Sequence, residues 1–340
     1  MNSSQPTAGG PDRSDRPDRD MTDVSKKKTS EADTAGDRRL RIGIDLGGTK
    51  IEGVGLDAGN SVVAGPHRVA TPRQDYAGTV AAVRDLVSRI EQETGAQAAS
   101  SVGVGIPGSI VKATGRVQNA NSVWLNGQPF GDDLAVAIGQ PVRVANDANC
   151  FALSEAHDGA GQGARSVFGV ILGTGCGGGL VYEGRIVDGP NGIGGEWGHN
   201  PLPWPRADEV PGPWCWCGRQ GCMETWVAGP ALEAAYEVAA GERVRASEVA
   251  RRASDGDAAA RATLDAHLDR LARGLAHVIN IFDPHVIVLG GGLSNLSHLY
   301  TALPGALAAR IFAERPVVDI RAARWGDSSG VRGAAWLWDD

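Results

Sequence analysis

The chain has 340 residues, 42% of them hydrophobic and 21% charged, with a net charge of −7. That length can bury a large core and favours two lobes over one. No apolar run approaches the roughly 20 residues of a membrane span, and the negative charge gives no general attraction to nucleic acid or anionic membrane.

Residues 1–39 hold eight acids and eight bases and no Leu, Ile, Phe, Tyr or Trp. Such a segment cannot bury enough surface to offset its ordering entropy, so a disordered polar tail is expected. Lys26-Lys27-Lys28 reads as a solvated run, with a weak anion contact as the alternative. No secretory signal pattern opens the chain. Five cysteines, one pair spaced Cys-x-Cys, suit a reducing compartment and metal binding, which makes the cytoplasm the expected location.

Leu40 to Leu46 reads as a buried strand running into the turn Gly47-Gly48-Thr49-Lys50. Ile51 to Leu56 and Ser61 to Ala70 follow as strands joined by Asp57-Ala58-Gly59-Asn60, a strong turn signal. Tyr76 to Thr94 has helical spacing, closed by Gly95. Short strands at Val102–Ile106 and Val142–Ala145 end in Pro107-Gly108-Ser109 and Asn146-Asp147-Ala148-Asn149. Ser166–Leu172 and Leu180–Tyr182 flank the glycine-rich hairpin 173–179. Residues 257–281 form a long amphipathic helix. Val286–Leu289 runs into Gly290-Gly291-Gly292, and a strand near Val317–Ile320 precedes a helix from Gly330 to Trp338. Hairpins followed by strand–helix alternation, seen twice, predict two α/β lobes.

The turns 47–50, 173–179 and 290–292 each follow an apolar strand, and glycine lets backbone N–H groups approach phosphate oxygens. None fits a P-loop or a dinucleotide turn opening a helix. Together they fit a nucleoside triphosphate in a cleft, with Thr49 and Thr174 as hydroxyl donors and Lys50 as a cation. Asp45 is placed to hold Mg2+, or else caps a turn. Asp147, just past a strand end, is the catalytic candidate for phosphoryl transfer to an alcohol; helix capping is the alternative. Glu196 and Glu224 suggest a sugar bound through vicinal hydroxyls, with Asn121 and Asn146 adding amide contacts. Ordinary surface polarity is the alternative for these four. Trp124, Trp197 and Trp204 are either sugar-stacking or packing residues. His199, Cys215, Cys217 and Cys222 suit a closed tetrahedral Cys3His zinc site with no open position for water, hence structural; buried thiols beside a surface histidine are the alternative.

These residues resemble the ROK sugar kinases and repressors. Asp45-Leu46-Gly47-Gly48-Thr49-Lys50, Gly105-Ile106-Pro107-Gly108, Asn146-Asp147-Ala148-Asn149 and Gly173-Thr174-Gly175-x-Gly177-Gly178-Gly179 stand in that family's order. Gly195-Glu196-x-Gly198-His199 and Cys215-x-Cys217-Gly218-x-x-Gly221-Cys222-x-Glu224 complete it. The resemblance runs from about residue 40 onward. It implies the actin-like ATPase (hexokinase-type) α/β fold, two lobes around a nucleotide and sugar cleft, with ATP, Mg2+ and structural Zn2+. The lobes are expected at 40–148, joined by the helix at 329–340, and at 149–328, which contains a zinc loop at 195–224. Asp147 would be the base. Asn121, Asn146, Asp147, Glu196, His199 and Glu224 would contact the sugar. Asp45, Gly47, Gly48, Thr49, Lys50, Gly173, Thr174, Gly175, Gly177, Gly291 and Gly292 would serve ATP and Mg2+.

Within the family, residues 119–127, 195–204 and 326–336 look most like the bacterial fructokinase branch. Phosphorylation of the 6-hydroxyl of D-fructose is therefore the leading expectation, with N-acetylglucosamine, glucose or mannose as alternative acceptors. Fifteen residues separate His199 from Cys215, a longer loop than in many relatives. A homodimer, common in the family, is expected. A sugar-sensing repressor would need a helix-turn-helix, for which residues 1–39 are too short and too polar.

Overall fold

The computed structural model describes residues 39–96, 98–99 and 101–339, so the expectations for the polar tail lie outside the described residues except at Arg39. Strands β1 (Arg41–Leu46), β2 (Lys50–Leu56) and β3 (Val62–Ala70) form an antiparallel meander. The Asp57–Asn60 turn works as its sequence demands: Asn60 adopts φ of 68°, and Asp57 Oδ1 accepts from the Ser61 N–H at 2.8 Å. Helix α1 (Tyr76–Thr94) starts where Asp75 caps Gly78 N and stops at the left-handed Gly95. Its buried stripe of Val83, Leu86, Val87 and Ile90 covers one face of the sheet.

Strand β4 (Ser101–Ile106) runs parallel to β1. A small ribbon of β5 (Ser109–Val111) and β6 (Arg116–Gln118) follows, then helix α2 (Phe130–Ile138), strand β7 (Val142–Asn146) and helix α3 (Asp147–His157). The first sheet has the order β3-β2-β1-β4-β7.

The second sheet repeats that plan. Strands β8 (Ser166–Leu172), β9 (Cys176–Tyr182) and β10 (Arg185–Ile186) are antiparallel. An irregular stretch leads to α4 (Glu224–Val227), α5 (Gly229–Ala240), α6 (Ala246–Ser254) and α7 (Ala258–Phe282). Strand β11 (Val286–Gly290) then joins β8 in parallel, followed by α8 (His298–Ala308), strand β12 (Ile320–Ala322) and α9 (Ser329–Ala335). The order is β10-β9-β8-β11-β12.

Three of the expected elements have other bounds than expected. β9 begins at Cys176 rather than Leu180, because Gly177, Gly178 and Gly179 pair in register with Ile171, Val170 and Gly169. The last strand shifts to Ile320–Ala322, where it finds Ile287–Leu289 as its parallel partner. The last helix is shorter than expected and ends at Ala335. Helices α2, α4, α5, α6 and α8 and strands β5, β6 and β10 have no counterpart among the sequence expectations; α5 opens on Gly229-Pro230, and α8 carries an internal Pro304.

Helix α9 covers the second face of the first sheet. Gly43 and Gly103 pair across β1 and β4, and a Cβ on either would lie 2.0 Å from Val331 O or 1.9 Å from Ala334 O. Helix α3 packs between α9 and the second sheet: a Cβ on Gly333 would lie 1.7 Å from Cys150 O. The fully buried Glu155 of α3 accepts from the N–H groups of Ala160, Arg324 and Trp325 and from Ser329 Oγ. Buried apolar clusters fill both sheets, one around α1 and α2 and one around α5 to α8. Among the described residues no helix is long and apolar enough to cross a membrane.

Candidate active site and metal loop

In open α/β sheets, ligands bind outside the carboxyl ends of parallel strands. Asp147 stands there, directly after β7. Asn146 supplies the cap of α3: its Oδ1 accepts from Ala148 N at 2.9 Å and Asn149 N at 3.3 Å, and its Nδ2 donates to Gly108 O at 3.1 Å. That assigns the capping role mainly to Asn146, although Asp147 Oδ1 also accepts from Ala148 N at 2.8 Å. Asn146 has its amide oxygen committed to the helix.

Asp147 is half-buried at the cleft and hemmed in by other acids. Burial first, and Asp45 second, push its carboxyl up to about 7, against the pull of the Ala148 N–H. Asp45 sits on β1 in one row with Gly105 of β4 and Ala145 of β7. Its own carboxyl rises to about 6 through burial and the charge of Glu52, with Lys50 opposing. Two crowded carboxyls that resist ionisation fit an environment completed by a divalent cation, so Asp45 fits an Mg2+ role.

A cleft of about 710 Å³ opens on Asp147. It gathers Asn121, Asn146, Asp147, Glu196, His199 and Glu224 with Gly173, Thr174, Gly175 and Gly177. Asp45, Gly47, Gly48, Thr49, Lys50, Gly291 and Gly292 do not line it. Lys50 is engaged elsewhere, donating to Glu52 Oε2 at 3.0 Å while Arg68 also holds Glu52. Gly291 backs onto the start of the 173 turn, where a Cβ would lie 2.5 Å from Leu172 O. Parallel pairing of β8 and β11 makes those two turns neighbours.

Several glycines expected to serve phosphate have packing reasons as well. A Cβ on Gly179 would lie 2.4 Å from Ala148 O, so β9 is bare to admit the start of α3. A Cβ on Gly175 would lie 2.6 Å from Glu224 Oε2. That carboxylate is a tie: Oε2 accepts from Cys176 N at 3.0 Å and Oε1 from Trp216 Nε1 at 2.7 Å, joining the glycine turn to the metal loop. Glu196 faces the same cleft, and burial raises its pKa, with Glu224 adding to the rise and His199 opposing it.

His199, Cys215, Cys217 and Cys222 place their ligand atoms within 4.8 Å of one another. Tetrahedral zinc, with Zn–S about 2.3 Å and Zn–N about 2.0 Å, separates two sulfurs by about 3.8 Å and sulfur from nitrogen by about 3.5 Å. Cys217 Sγ and Cys222 Sγ are 3.6 Å apart, and Cys215 Sγ and His199 Nδ1 are 3.5 Å apart. The sulfur separation is far beyond a disulfide bond. This donor set fits zinc, with Nδ1 the His199 atom that would bind it.

The tryptophans redistribute. Trp124 donates to Thr79 Oγ1 and packs on the first core, Trp197 is buried edge-on against Phe168, and Trp204 is exposed away from the cleft. Trp216 is the cleft tryptophan, edge-on to His199. Sequence reasoning missed it, together with Asn119 and Arg219. Arg219 was legible as the basic residue between the glycines of the Cys217-to-Cys222 turn; Asn119, with φ of 56°, has no local signal beyond its neighbour Asn121.

A family model described as the ROK family matches residues 41–340. The N-acetyl-D-glucosamine kinase of Pectobacterium atrosepticum is 42% identical over 302 residues, covering 88% of this chain and 98% of that protein. The crystal structure of the ROK hexokinase from Thermus thermophilus superposes with a TM-score of 0.77 at 35% identity, covering 88% of this chain and 97% of its own. A ROK family glucokinase from Streptomyces griseus, solved with glucose and AMPPNP, gives a TM-score of 0.72 at 29% identity, with 88% and 98% covered.

Proposed function

This chain belongs to the ROK family and has the actin-like ATPase fold, and from that premise we propose that it is an ATP-dependent hexose kinase acting on the 6-hydroxyl of N-acetyl-D-glucosamine. The observation that carries the reading is the single cleft joining Asp147, Glu196, His199 and Glu224 to the backbone of the 173–178 turn. The acceptor follows the Pectobacterium relative. Fructose, the leading expectation from sequence, and the fructokinase branch find no support among the relatives described above.

In this mechanism Asp147 orients the acceptor hydroxyl and takes its proton as the O–P bond forms and the bridging P–O bond of ATP breaks. Mg2+, when bound near Asp45, supplies charge neutralisation on the phosphates. Glu196, Glu224, Asn121 and His199 hold the sugar hydroxyls, and the Thr174 hydroxyl with the Thr174 and Gly175 N–H groups donates to the phosphates, while the Gly173 N–H closes the turn on Gly175 O. The two sheets serve as the lobes of the cleft. His199, Cys215, Cys217 and Cys222 would hold a zinc ion, which would fix the loop that carries His199 and leads to Glu224 and so shape the sugar pocket through His199.

Purified protein with ATP and a panel of N-acetylglucosamine, glucose, mannose and fructose tests this. N-acetylglucosamine 6-phosphate is expected as the product with the highest kcat/KM, by about tenfold or more. A faster turnover of fructose reverses the assignment of the acceptor; negligible turnover of every hexose removes the kinase reading.

A further inference from the structure

Asn121 and Glu196 reach the cleft from different halves of the chain, Asn121 after the β5–β6 ribbon and Glu196 after the loop at 188–194. Side chains that grip one small molecule from two halves need a fixed separation, since misplacement by about 1 Å can cost orders of magnitude in rate. Three contacts join these segments directly. Lys112 Nζ lies 2.8 Å from Asp188 Oδ1. Gln118 Nε2 donates to Asn191 O at 3.0 Å and to Ser109 Oγ at 3.1 Å, so it is braced within its own ribbon. Gly192, at φ of 67°, lies so close to the ribbon that a Cβ would stand 2.7 Å from Ile110 O.

The loop is also tied to itself. Gly194 N donates to Asp188 O at 2.9 Å, and Gly192 N donates to Gly189 O at 3.3 Å. Glu196 N donates to Ile193 O at 3.2 Å, so a displacement at 188–192 carries Glu196 with it. Likewise Gln118 is one residue from Asn119 and three from Asn121, all in one segment.

We propose that Lys112 and Gln118 are positioning residues that clamp the 188–194 loop to the ribbon and thereby set the spacing of Asn121 and Glu196 around the acceptor sugar. Neither lines the cleft at Asp147. They act through the segments they hold. The inference rests on the kinase reading given above. Each polar contact is individually weak, because the Lys112 and Asp188 side chains are about half exposed. The close approach at Gly192 is the most sensitive point.

The test uses steady-state kinetics with N-acetylglucosamine and ATP, together with amide hydrogen exchange of the free protein. Lys112→Glu and Asp188→Lys should each raise the KM for the sugar about threefold, with the KM for ATP unchanged. The double variant, which restores the pair with reversed charges, should return to within about twofold of the parent. Gly192→Ala, whose Cβ meets a backbone carbonyl at positive φ, should raise the sugar KM about tenfold, speed exchange at 188–196 and 117–121 more than elsewhere, and lower the unfolding midpoint. Additive losses in the charge-reversed double variant, or unaltered exchange in Gly192→Ala, overturn the clamp. If the parent protein phosphorylates no hexose, the kinase reading fails, and the exchange measurement still decides the clamp.

Discussion

Asp147 carries a carboxyl held up to about 7 because burial and the nearby Asp45 both oppose its charge. A base with that value is half-ionised near neutrality, where proton abstraction and availability are balanced. Turnover should therefore fall on the acid side of neutrality, read as the acid limb of kcat/KM, with Mg2+ near Asp45 offsetting that carboxylate and moving the midpoint below about 7. The same shift acts on stability with the opposite sense. The folded state binds this proton more tightly than the unfolded chain does, so stability falls as pH rises from the ordinary carboxylate range through about 7. Asp147→Asn should abolish turnover by about a thousandfold or more and raise the unfolding midpoint by a few degrees, checked by kinetics and calorimetry. Cys217→Ser should do the reverse. It removes one of the four donors, so zinc per chain and the unfolding midpoint should drop together, because metal binding free energy is folding free energy. An unchanged zinc content would exclude Cys217 from the site.

The fifteen-residue spacer between His199 and Cys215, which read in the sequence only as a long loop, is a strut. Its Glu209 is buried and receives both guanidinium nitrogens of Arg273 at 2.8 Å and Arg270 Nε at 2.9 Å, tying the loop to α7. Those arginines, with the Arg206 N–H, hold the Glu209 carboxyl down to about 2 against its burial. Its contribution is thus complete above the ordinary glutamate value and lost as pH falls towards about 2. Glu209→Ala should cost about 3–5 kcal/mol in urea unfolding, since it strands buried guanidinium charge. The clustering of His199 with the three cysteines was legible because its chemistry is local and its spacing short, and α1 was legible because its cap, stripe and terminal glycine are contiguous. Gly177 and Gly179 were misread as turn residues because the reason for them is Ala148, some thirty positions earlier. Glu209 was invisible for the same reason: its partners sit on a helix 61 and 64 residues away.

Two sheets of identical strand order give the molecule an internal repeat in topology, and both halves contribute to one cleft. The repeat is unequal in how its faces are covered. The first sheet has α1 on one side and α9 on the other, and α9 touches it through carbonyls that only glycine at 43 and 103 can admit. Gly103→Ala should therefore prevent α9 from docking and leave little soluble protein. Gly305→Ala, on an exposed helical position where a Cβ meets nothing within 4 Å, should be neutral or stabilising by about 0.5–1 kcal/mol. Solubility and thermal melts of the pair compare close approach with simple chain entropy. The position of α9 also sets a timetable. Arg332, on α9, donates to Asn60 O across 272 positions, so during synthesis the meander keeps one apolar face unsheltered until α9 emerges. Until then that bare face is an aggregation hazard, and holdase chaperones should meet the nascent protein there.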